Sequence, residues 1–133
     1  KFSAPFNFYN VHYNLTHIVG TSGGNTDDMR EALRIAGENQ ITPAILVTHI
    51  GGLDAAKETI LNLPHVPGGK KLIYTHISLP LTAIDEFAEK GKSDPLFGEL
   101  AKLCAKTGGL WSAEAETYLL RHAPKLNAEQ YRV

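Results

Sequence analysis

The chain has 133 residues, 43% of them hydrophobic and 20% charged, with a net charge of −1. That is long and apolar enough for a real core, and too nearly neutral to build the field that nucleic acid or an anionic membrane needs. The single cysteine, Cys104, excludes an internal disulfide and a cysteine-rich metal site and fits a reducing cytoplasm.

The segment "FNFYNVHYNLTHIVG" is rich in aromatic and β-branched residues. Val11, Tyr13 and Leu15 alternate with His12, Asn14 and Thr16, the period of a half-buried strand, and His17-Ile18-Val19 makes a second short strand ended by Gly20. Asn25 or Thr26 can cap the next helix, whose first turn holds Asp27 and Asp28 and whose apolar stripe is Met29, Ala32, Leu33 and Ala36. Gly37 marks its end. A strand is predicted over Ala44–Ile50, a turn at Gly51-Gly52, a helix over Leu53–Leu63 and a strand over Lys71–Ile77 after "PHVPGG". Residues 1–77 therefore alternate strand and helix, which argues an α/β fold.

From Thr82 to Ala123 the pattern predicts three short helices and no strand. Thr82 with Asp85 resembles a capping box, and Gly91 closes that helix. Ser93 or Asp94 caps the second ahead of Pro95, and Gly108-Gly109 end it. Ser112 caps the third, with Trp111 placed as a staple residue, and Pro124 stops it. The tail "KLNAEQYRV" reads as frayed or in part a vector remnant. The chain opens on Lys1 rather than Met and its first residues read as mid-protein sequence, so a fragment is expected, with no signal peptide and no membrane span.

Chemistry-bearing motifs are sparse. Gly20-Thr21-Ser22-Gly23-Gly24 before a helix has the outline of a phosphate loop. Its spacing is G-x-x-G-G, however, and neither G-x-G-x-x-G nor G-x-x-x-x-G-K-[ST] occurs anywhere, so a turn is the default. The six histidines (His12, His17, His49, His65, His76 and His122) show no metal-ligand spacing. His49 and His76 each sit in Thr-His-Ile, where the imidazole can bond backbone or a neighbouring side chain. Cys104 lies in an apolar helical stripe and reads as a buried inert thiol. Lys70-Lys71 after "PGG" could meet an anion or simply be exposed.

Several weak motifs gain weight by occurring in order. Gly20-Thr21, Gly23-Gly24, Asp27-Asp28, Glu31-Ala32-Leu33, Gln40-Ile41-Thr42-Pro43, Thr48-His49, the helix at Asp54–Leu63 and "PGGKKLIYT" together resemble the C-terminal region of zinc-type medium-chain alcohol dehydrogenases. The extension "HISLPLTAIDEFAEKGKSDPLFGELAKLCAKTGGLW" is similar to the L-sorbose-1-phosphate reductase branch. The resemblance implies the closing part of a Rossmann-type nucleotide-binding domain with its strand-helix-strand return over 1–77, a helical extension over 78–124 and a tail over 125–133. It implies that backbone groups at Val19 and Gly20 touch the nicotinamide carboxamide. A basic residue near the pyrophosphate maps to Lys71, with Lys70 as the fallback. Where the family has Arg, Lys keeps the charge and loses the fork.

The resemblance also implies a cytoplasmic homo-oligomer joined near residues 16–19. Its parent would be an NAD(P)-dependent enzyme that moves a hydride between a ketose phosphate and a polyol, with zinc polarising the oxygen. The zinc ligands, the catalytic residues and the pyrophosphate loop would lie outside this chain, so the chain alone is expected to be inactive, with no cofactor bound. The other reading is a free-standing, non-catalytic α/β binding or interaction module.

Overall fold

A computed structural model describes residue 3 and residues 5–20 and 22–127. The chain forms two units, Lys1–Gln40 and Ile41–Val133.

In the first unit, helix α1 (Phe8–Tyr13) replaces the predicted strand over Val11–Leu15. Asn7 decides the outcome: its side-chain oxygen accepts from Asn10 N at 3.3 Å, an N-cap that the strand reading overlooked. The aromatic residues that suggested a strand instead meet along the helix, Tyr9 against Tyr13 with ring centroids 4.3 Å apart. Residues 17–19 form no strand, because no second segment pairs with them among the described residues. Helix α2 (Thr26–Gly37) matches the expectation. Asn25 accepts from Asp27 N and Asp28 N at 2.7 and 3.1 Å, and Asp28 accepts from Asn25 N at 2.8 Å, a reciprocal capping box.

The second unit is built on strand β1 (Val47–Gly52), helix α3 (Ala56–Asn62) and strand β2 (Lys70–Tyr74), a parallel βαβ unit. Pro43 at the start of a 3-10 turn over Pro43–Leu46 delays β1 by three residues relative to the predicted start at Ala44. Gly51 and Gly52 do not turn the chain but continue β1, opposite Ile73 and Tyr74. The predicted helix at Leu53–Leu63 is shortened by 3-10 turns at Leu53–Ala55 and Leu63–His65. Strand β2 ends at Tyr74, three residues before the predicted end.

A third strand, β3 (Thr82–Ala83), pairs antiparallel with β1 through Ile50↔Thr82 and gives the sheet the order β2-β1-β3. This corrects the all-helical reading after residue 78 and the Thr82 capping box. The Thr82 hydroxyl donates to Pro80 O at 3.0 Å, and the helix that follows, α4 (Phe87–Lys90), has no side-chain cap. Helix α5 (Pro95–Ala105) is capped by Asp94, one of the two candidates, and α6 (Ala113–His122) by Ser112 as read.

The sheet and the three C-terminal helices share one core. Ile50, Ile77, Phe87, Leu100 and Leu119 are fully buried in it. Trp111 lies inside this core beside Phe87 rather than serving as a surface staple. The start of the tail is pinned, not frayed: Ile77 bridges Lys125, Ser78 N donates to Pro124 O at 2.9 Å and Leu126 N to His76 O at 3.1 Å. The rest of the tail, from residue 128, lies outside the described residues, as does Thr21.

Candidate functional site

Val19 and Gly20 lie in the first unit, in a stretch without regular structure between α1 and α2, and Val19 is 81% exposed. Lys71 lies in the second unit, one residue into β2. Its ammonium donates to three carbonyl oxygens of the preceding turn: Pro67 at 2.8 Å, Gly68 at 3.3 Å and Gly69 at 2.9 Å. An ammonium has three protons, so its donors are spent on the turn and what it can offer an anion is charge. Lys70 beside it is exposed. Lys70, Lys71, Ile60, Leu63 and Ile73 line a groove of about 490 Å³ between α3 and β2.

A larger cleft, about 670 Å³, opens on the other side of the turn. Ile45, Val47, Ile84 and Cys104 line its apolar part, and His49 and Asp85 its polar part. Pairing with β3 sets His49 in place, opposite Ala83. Its Nδ1 lies 2.9 Å from the Thr48 hydroxyl, and His76 repeats the arrangement with Thr75 at 2.8 Å, so both Thr-His pairs satisfy an imidazole locally, as the sequence allowed. Burial, with the charge of Lys71 next, pushes the His49 imidazole below its ordinary value against the opposing pull of Asp85 and Glu86. Burial raises the Cys104 thiol, which agrees with an inert cysteine. Sequence reasoning missed this cleft because it depends on β3, a two-residue strand too short for any periodicity to show.

Asp54 has a structural task. Its carboxylate accepts from Ser78 Oγ at 2.5 Å, Leu79 N at 3.1 Å and Ala55 N at 3.1 Å. Burial alone would raise it, but these hydrogen bonds outweigh burial and hold it below the ordinary carboxylate range.

Among the described residues no three His, Cys, Asp or Glu side chains gather to hold a metal ion, so the described residues do not fit a zinc site. No helix among them is long and apolar enough to cross a membrane.

The chain is 56% identical over 123 residues to an L-sorbose 1-phosphate reductase of Klebsiella pneumoniae, a match that takes in 92% of this chain. The resemblance to the L-sorbose-1-phosphate reductase branch holds. Alongside that reductase, a mannitol-1-phosphate 5-dehydrogenase of Aliivibrio fischeri (strain ATCC 700601 / ES114) is 57% identical over 120 residues. An Escherichia coli (strain K12) protein carrying the name uncharacterized protein YggP is 65% identical over 120 residues. Each of the latter two matches covers 90% of this chain. The chain spans about 28% of the length of each of these three relatives. No protein-family model and no solved structure matches it.

Proposed function

We propose that this chain is part of an NAD(P)-dependent oxidoreductase of the zinc type, one that interconverts a ketose phosphate and a polyol phosphate by hydride transfer. The observation that carries the reading is the pair of relatives named for sugar-phosphate reduction and polyol-phosphate dehydrogenation, each more than half identical over nine tenths of the chain. In this reading the backbone at Val19 and Gly20 meets the nicotinamide carboxamide. The Lys71 end of β2 supplies positive charge for the pyrophosphate while its ammonium holds the turn over residues 67–69. The metal belongs to the rest of the parent. The chain by itself is inactive, and the parent is a cytoplasmic homo-oligomer.

The test is direct. The parent-length protein is incubated with NADH or NADPH and L-sorbose 1-phosphate, and in a separate oxidative assay with mannitol 1-phosphate and the oxidised cofactor, following absorbance of the reduced nicotinamide. Turnover in either direction by the parent, and none by residues 1–133, is the expected result. A parent that oxidises and reduces neither substrate overturns the reading, and tight NAD(P)H binding by the 133 residues alone overturns the placement of the pyrophosphate loop outside them.

A further inference from the structure

The cleft beside His49 is lined only by residues of the second unit and takes no part in the proposed cofactor contacts. At about 670 Å³ it has the size of a small-molecule site. Its α5 wall consists of Ala101, Cys104 and Ala105, short side chains that helical spacing puts on one face. Ile45 and Leu110 line the same cleft while 54% and 41% exposed, so large apolar surface is left in water beside that space. An apolar ligand body would cover it.

The charges that line the cleft are of one sign. No Lys or Arg is among its lining residues, and Lys71, whose field reaches His49, spends its donors on the carbonyls of residues 67–69. Two carboxylates do line it. Lys90 pairs with Glu86 at 3.6 Å, whereas Asp85 makes no hydrogen bond or ion pair among the described residues. Burial keeps the His49 imidazole neutral at pH 7, so it does not repel a cation. A phosphate or carboxylate ligand would meet two like charges here with no lysine or arginine to offset its desolvation. We propose that this cleft binds a small organic amine, its aryl or alkyl body against Ile45, Leu110 and the α5 wall and its ammonium on the Asp85 carboxylate. Such a ligand is opposite in charge to a sugar phosphate or a dinucleotide, so the site is separate from the proposed reaction and stands or falls without it.

In the experiment the 133-residue chain is titrated with phenylbutylamine and, as matched controls, with phenylbutanol and phenylbutyrate, following backbone amide shifts by NMR. We expect saturable shifts at residues 47–49, 84–86 and 101–105 with the amine, binding about tenfold weaker with the alcohol, and none with the carboxylate. Asp85→Asn should bring the amine down to the affinity of the alcohol and leave the alcohol's own affinity unchanged, which shows that the cleft is still formed. Glu86→Gln should leave the amine affinity as it was, because Lys90 already holds that carboxylate. Calorimetric titration of the parent-length protein should reproduce the amine affinity and its loss in Asp85→Asn. Equal binding of amine and alcohol, carboxylate binding as tight as the amine's, or equal effects of the two substitutions overturns the inference, as does the absence of saturable shifts with the amine. Binding by the 133-residue chain that the parent lacks would show that the cleft is covered in the longer protein, and overturns it too.

Discussion

The indole N–H of Trp111 donates to the hydroxyl oxygen of Tyr74 at 3.1 Å. Tyr74 ends β2 and Trp111 precedes α6, so this bond fastens the helical segment to the sheet across 37 residues of chain. Burial raises the Tyr74 phenol above its ordinary value, which keeps the hydroxyl neutral and available as an acceptor. Tyr74→Phe leaves the indole N–H buried without its partner and should cost about 1–3 kcal/mol in urea unfolding. Because Trp111 is the only tryptophan, its fluorescence reports the change without interference. A double-mutant cycle with Trp111→Phe, all four proteins followed by far-UV circular dichroism, should show coupling between the two positions, and strictly additive losses would remove the bond as a stabilising contact.

Acid should weaken the second unit in two stages. His49 has a folded pKa below its unfolded value of about 6.5, so its contribution is complete above that pH and is lost as pH falls toward the lowered value. Asp54 is also depressed, so its contribution is present above the unfolded value of about 3.9 and is lost as pH falls through the lower folded one. His49→Gln should flatten the upper part of the stability profile and Asp54→Asn the lower part. Unfolding midpoints measured from pH 8 to pH 3 check both, and a wild-type profile that is level across pH 5–6.5 would contradict the assignment to His49.

The sequence was legible where local chemistry decides. The Ser112 cap and Gly37 as the end of α2 were read from neighbouring residues and are seen, and of the paired cap candidates Asn25 or Thr26 and Ser93 or Asp94 the structure uses Asn25 and Asp94. What was misread depends on partners far along the chain. "VHYNL" has the alternation of a strand, but a strand needs a neighbour, and the Asn7 cap gives the helix a local advantage. Thr82 has the spacing of a cap, but its backbone is claimed by β1. The clamp that Lys71 makes was not legible although it is local, since nothing in the sequence shows that the turn before it folds back on its ammonium.

Gly52 should tolerate no side chain. A Cβ there would lie 2.3 Å from Ile77 O and 2.5 Å from Leu79 N, both backbone atoms of the segment that crosses the end of β1. That crossing is held by Gly52 N donating to Leu79 O at 2.8 Å, and by Asp54. Gly52→Ala must push this segment away, at a cost of about 1–3 kcal/mol or more. Gly20→Ala, where a Cβ meets nothing within 4 Å, is the control and should leave the unfolding midpoint unchanged. Equal stability of the two variants would mean that the backbone crossing at Gly52 is looser than its geometry indicates.

Lys71 separates two roles that one substitution would blur. Lys71→Met keeps the length of the side chain and removes the ammonium, so the carbonyls of Pro67, Gly68 and Gly69 lose their shared donor. Backbone amides of residues 66–70 in the 133-residue chain should then exchange faster, by about tenfold, with the core amides of β1 unaffected. It also removes one of the charges that hold His49 down, so the His49 imidazole should titrate higher, which proton NMR of the ring would follow. In the parent, the proposed part of Lys71 at the cofactor pyrophosphate predicts a weaker NAD(P)H Kd for Lys71→Met and a smaller loss for Lys71→Arg, which retains the charge. Faster exchange at the turn with an unchanged cofactor Kd would leave Lys71 as a clamp on the turn and remove it from the cofactor site.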